Sequence, residues 1–199
     1  MLIQANTGVQ NNPDGQPVIL RADKQGEVMV SELHGRYYEQ TYRGNMFSVA
    51  NQAAVTTTAG LATTFTGLAI GNPVGSGVNL VLNLFTVGQV AVAVAGTVGI
   101  MGAAGPITAS LTPISRMIGS GTVSKATATA GQTISTPLLI AGLGTVGSLA
   151  TTGDALAQGI VVDFGGSVIV PPGSFVASYT TAACTSAFVF GFSWEEVAI

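Results

Sequence analysis

The sequence predicts an all-β fold, an antiparallel jelly-roll-like β-sandwich with an extended N-terminal arm, and three observations lead there. Val78–Leu84 and Ser186–Trp194 alternate with a period of two, as strands covered on one face do. Gly, Pro, Ser and Thr interrupt the chain from Ser48 onward at short intervals. No stretch carries a convincing amphipathic helical pattern. Many short strands divided by turn residues pack as two sheets. No internal repeat points to a propeller or solenoid.

Residues 1–50 read as an arm and residues 51–199 as the sandwich domain. The first twenty residues, with Asn11-Asn12-Pro13-Asp14-Gly15, are tail-like and turn-laden. Asp23-Lys24-Gln25-Gly26 reads as a turn and Glu27–Leu33 as a short strand. Three of the four tyrosines follow. Tyr37, Tyr38 and Tyr42 stand among Arg36, Glu39 and Arg43, the composition of interface anchors, and these six are the candidate contact residues.

In the body, Val78, Leu80, Leu82 and Leu84 are expected on one strand face, with Gln89–Val94 continuing the alternation. Further strands are expected at Ile107–Leu111, Thr122–Thr129, Leu138–Ala141, Ile160–Phe164, Ser167–Val170 and Phe175–Thr180. Gly165-Gly166 reads as a hairpin turn between two of them. Phe188, Phe190 and Phe192 share one face of the last strand, a core stripe. Glu195-Glu196 is expected to end that strand with charge.

The charge distribution excludes several function classes. Charged residues make up 8% of the 199 residues, against roughly 25% in an ordinary soluble domain. Nine of them fall within residues 1–43, and none lies between Gly44 and Ser115. A body so poor in charge is expected to bury its surface in an assembly, because charge keeps solvated surfaces apart. A net charge of −3 leaves no footprint for phosphate backbones, so nucleic acid is not an expected partner. The start of the chain has neither a basic segment nor a long apolar run, so no secretory signal is expected. The charge-free stretch 77–106 is interrupted by Asn79, Asn83, Gln89 and several glycines, which argues against a membrane span.

Catalytic parts are lacking. His34 and Cys184 are each the sole residue of their kind, too few for a zinc site, and they are read as a surface or interface His and a structural thiol. Glu195 and Glu196 point to opposite strand faces and cannot pair as acid and base. Asp154 and Asp163 are isolated. Gly142-Leu143-Gly144-Thr145-Val146-Gly147 matches the dinucleotide fingerprint, with Asp163 about twenty residues downstream. The following Ser148–Gly153 cannot supply the helix such a site needs, so the match is read as chance. No enzyme, cofactor or metal is expected.

Two segments carry a resemblance. Val161–Ala177, followed by an Ala/Thr-rich turn and Phe190-Gly-Phe-Ser-Trp-Glu-Glu-Val197, resembles jelly-roll virion proteins of tailed bacteriophages. Leu33–Asn45, with its Arg-Tyr-Tyr-Glu-Gln-Thr-Tyr-Arg run, is similar to the N-terminal arms of such proteins. The resemblance implies a capsid decoration (cement) protein that stabilises the phage head as an oligomer, typically a homotrimer. Its partners would be copies of itself and the major capsid or other virion proteins, on the capsid surface. The alternatives are a tail, fibre or spike component that binds a host receptor, and a membrane-inserted protein.

Overall fold

A computed structural model describes residues 35–91, 93–147 and 159–199. The expected strand at Glu27–Leu33, His34 and Asp154 lie outside the described residues. The chain divides into two compact units, Met1–Tyr38 and Glu39–Ile199, and every strand among the described residues belongs to the second.

The described chain opens with α1 (Tyr38–Tyr42), a short helix where no helix is expected. Gly44 stops it. With φ +77 it accepts the left-handed conformation, its N–H reaches the Thr41 carbonyl, and the Asn45 N–H reaches that of Gln40. That pair of bonds is the Schellman ending.

The strands follow as β1 (Met46–Ala50), β2 (Val55–Thr57), β3 (Thr64–Asn72), β4 (Val78–Gln89) and β5 (Gly96–Ala104). Then come β6 (Ile114–Ser115), β7 (Thr127–Thr133), β8 (Leu138–Val146) and β9 (Gly159–Val170). β10 (Ser174–Thr180) and β11 (Cys184–Ala198) complete the chain. They build two antiparallel sheets, an all-β sandwich. The first runs β6-β1-β11-β4-β9, with β2 also paired to β11. The second runs β7-β3-β10-β5-β8. Residues 46–50, read from sequence as arm, form β1 between β6 and β11.

The core lies between the sheets. Phe188, Phe190 and Phe192 are all buried, as the alternation predicts. Phe85 of β4 packs on two of them, its ring centroid 6.0 Å from Phe190 and 4.8 Å from Phe192. Leu68, Ile70, Val98, Ile100 and Val176 meet them from the second sheet. Asparagine amide groups buried in this layer donate to backbone carbonyls, whereas Asn72 Oδ1 and Trp194 Nε1 have no hydrogen-bond partner among the described residues. Asn72 of β3 donates to the Val78 and Val170 carbonyls and ties the two sheets at one end. Asn51 donates to Gly67 O and accepts from Phe190 N. A second cluster, including Phe65, Met101 and Phe175, joins Ile107 and Ile134 from the flanking loops.

Several expectations need correction. Leu84 does not share the face of Leu80 and Leu82. Between Leu82 and Leu84 the register slips against both β11 and β9, so Asn83 is an inserted residue and Phe85 takes the inward place. One extra residue exchanges the two faces of a strand. The alternation also fails beyond Gln89, whose amide donates to the Ala91 and Gly147 carbonyls while the strand ends. Val90 and Val94 are exposed and Ala93 is buried, the reverse of the expected faces.

Gly165-Gly166 does not separate two strands. Leu82 pairs with Val168 and Leu84 with Asp163, so β9 runs through with residues 164–167 bulged out. Both glycines hold positive φ, 56 and 83, and the Asp163 carboxylate accepts the Gly165 N–H at 2.7 Å. Those conformations favour glycine. Ile107–Leu111 forms no strand, because the Thr108 N–H bonds the Gln132 side chain instead of a ladder, and only Leu111 bridges to Ala128. The strand expected at Thr122–Thr129 starts at Thr127. β11 continues past Glu195-Glu196 to Ala198, paired with Val78. Cys184 is the buried first residue of β11.

Candidate assembly surface

The six residues singled out from sequence lie in and beside α1. Tyr38 and Tyr42, four residues apart, occupy one side of the helix and are 45% and 59% exposed. Glu39 and Arg43 form an exposed ion pair at 2.6 Å on the same spacing. Such a pair contributes little to stability. The Arg36 guanidinium lies over the Tyr37 ring, 5.2 Å from its centroid, and Tyr37 is half-buried. The helix therefore presents two tyrosine rings flanked by charge.

A larger apolar surface was not singled out from the sequence. β8 ends the second sheet and β9 ends the first, so among the described residues each has one side without a strand partner. The two strands are neighbours across the sandwich, since a Cβ on Gly144 would meet Ile160 at 2.9 Å. Leu138, Leu139 and Ile140 are exposed in succession, so both faces of β8 are uncovered there. Val161 is 70% and Ile169 55% exposed on β9. Asp163 is the one charged residue within the two strands. Apolar edges with little charge and no proline invite pairing with another chain. The signal in the sequence was Leu138-Leu139-Ile140, three large apolar residues where a half-buried strand would alternate.

A third exposed apolar element is the loop between β6 and β7, where Ile118 is 92% and Val123 80% exposed. It encloses a shallow groove of about 440 Å³.

The remaining candidates resolve chemically. The first five residues of the glycine-rich fingerprint lie in β8, not at a strand-to-helix turn, and Gly144 faces Ile160 instead of open space for a phosphate. Cys184 Sγ is buried, near the Val94 and Ala182 carbonyls at 3.9 and 3.7 Å. Glu195 carries a carboxyl raised above its ordinary value by burial. Glu196 instead accepts hydrogen bonds from Ser124 and Lys125. Among the described residues no group of three His, Cys, Asp or Glu gathers to hold a metal. No helix among them is long and apolar enough to cross a membrane. No protein-family model, curated protein or solved structure matches the chain.

Proposed function

We propose that this chain is a structural protein of a tailed-phage virion, a decoration (cement) protein that binds the head as a homo-oligomer, with a trimer as the expected state. The observation that carries the reading is the β8–β9 edge, which no other strand among the described residues covers. An all-β body with 8% charged residues and an uncovered apolar flank is stabilised by meeting a copy of itself. The strand order supports a jelly roll in particular. β1-β11-β4-β9 in one sheet and β3-β10-β5-β8 in the other are the orders made by two interleaved Greek keys, with β2, β6 and β7 as additions. Viral capsid proteins use that architecture, although lectins and cupins share it. Tyr38 and Tyr42, beside the Glu39–Arg43 pair, suit contact with the particle surface.

The test has two steps. Light scattering on the purified chain is expected to return an oligomer, a trimer if the closed symmetric form is right. Electron microscopy of virions carrying the chain should then place it on the head. A stable monomer without affinity for any particle overturns the proposal.

A second reading, a tail, fibre or spike component that binds a host receptor, is favoured by one observation. A cavity of about 260 Å³ opens on the outer face of the first sheet and contains Arg116.

A further inference from the structure

We infer that this cavity is a binding site for an acidic sugar, with the Arg116 guanidinium holding the carboxylate. The inference gives the second reading a ligand class, but it stands on the cavity alone and is independent of oligomer state and particle binding.

The site follows from the local chain. The inserted Asn83 turns Leu84 outward, where it lines the cavity with Ser48 and Gly191. Gly191 keeps the site open, because a Cβ there would press on Thr86 Oγ1 at 2.6 Å. The segment from Thr112 to Arg116 forms the opposite wall, fixed where β6 pairs with β1.

Arg116 is the one charged residue on that wall. Its backbone N–H donates to the Met46 carbonyl at 2.9 Å, and its Nη1 donates to Ser193 Oγ at 3.3 Å. Ser193 is buried and donates onward to the Phe47 carbonyl. The guanidinium is thus oriented through a fixed hydroxyl while most of its five N–H donors stay available. No carboxylate pairs with it among the described residues. Glu195, two residues beyond Ser193 on β11, has its carboxyl raised by burial without an opposing effect from a cation. A planar, unpaired guanidinium recognises a planar carboxylate through two parallel hydrogen bonds.

The rest of the cavity selects a sugar over a bare carboxylate. Ser48 and Thr112 bring hydroxyls that have no protein partner among the described residues, ready for the hydroxyls of a ring. Leu84 offers an apolar surface to the C–H face of that ring. The volume is below the roughly 300–1,000 Å³ of drug-sized pockets, so a single ring suits it. One cation favours a monoanion over a phosphate dianion.

Ligand-observed NMR on the full chain tests this with glucuronate, glucose and acetate as probes. Glucuronate should bind with an affinity on the order of millimolar, as expected for a small, solvent-open site. Glucose, which lacks the charge-assisted carboxylate contact, and acetate, which lacks the ring that Ser48, Thr112 and Leu84 would meet, should each bind at least roughly tenfold more weakly. Arg116→Gln should abolish glucuronate binding and Arg116→Lys should weaken it, while circular dichroism shows both variants folded. Ala50→Leu, which fills the cavity without touching the charge, should weaken it as well. Undetectable glucuronate binding, or binding unchanged in Arg116→Gln or Ala50→Leu, overturns the site. Acetate binding as well as glucuronate, or glucose doing so, overturns the assignment to an acidic sugar.

Discussion

Glu196, near the end of β11, accepts a hydrogen bond from the Lys125 backbone N–H at 2.9 Å, and the Ser124 hydroxyl donates to the same oxygen. One carboxylate thereby pins the end of the long apolar loop that follows β6 to β11, the central strand of the first sheet.

Replacing Glu196 with Ala should lower stability by about 1–3 kcal/mol, the worth of hydrogen bonds to a charged acceptor. Glu196→Gln, which keeps an acceptor oxygen, should lose less. Urea unfolding measures both, and limited proteolysis should cut the loop faster in the Ala variant.

Phe192 is fully enclosed and packs on Phe85, so Phe192→Ala should cost about 3–5 kcal/mol through lost burial and the cavity left behind. Phe192→Leu, closer in volume, should cost under about 2 kcal/mol. Chemical denaturation with coincident fluorescence and circular dichroism transitions gives the values. A small effect of the Ala variant would contradict the packing described.

The exposed edge should respond to charge. Leu139→Lys combined with Val161→Lys is expected to convert the oligomer to monomer by light scattering, since like charges would be buried in the interface. Stability of the isolated fold should change by no more than about 0.5 kcal/mol, because both positions are on the surface. An oligomer that survives the double substitution would move the interface elsewhere, with Tyr38 and Tyr42 the next positions to replace.

Glu195 gives a pH dependence with a definite sign. Burial raises its carboxyl above the ordinary 4.5, so the folded state holds the proton more readily than the unfolded chain. Where the native state binds more protons, stability falls as pH rises. Its contribution is therefore fully present below 4.5 and is lost as pH rises through the higher folded value. Urea midpoints at about pH 4 and about pH 7 should differ less in Glu195→Gln than in the parent chain. An unchanged difference would remove Glu195 as the cause.

Much of the sandwich was legible wherever side chains alternate without interruption. Val78–Leu82 and Phe188–Phe192 carry that pattern, and burial alternates from Leu80 to Leu82 and from Phe188 to Phe192. β3 and β5 were not singled out, because Gly67, Gly71, Gly99 and Gly102 break their apolar rows. In the fold those glycines are where neighbours come closest: the Ala141 carbonyl lies against Gly99 and the Phe175 carbonyl against Gly102. A sequence displays a gap in hydrophobicity there, whereas the structure shows close backbone contact. Arg116 left a fainter trace as the sole charge between Gly44 and Ser124, and nothing local says which strands surround it.

The sequence by itself determined an all-β body, its aromatic core stripe and its poverty of charge, because period-two alternation and composition are local properties. Tertiary structure alone decided where the alternation breaks, which strands end the sheets and what Arg116 faces. Those depend on register. A single inserted residue such as Asn83 exchanges the inner and outer faces of everything beyond it, and only pairing with β9 and β11 fixes where that insertion falls.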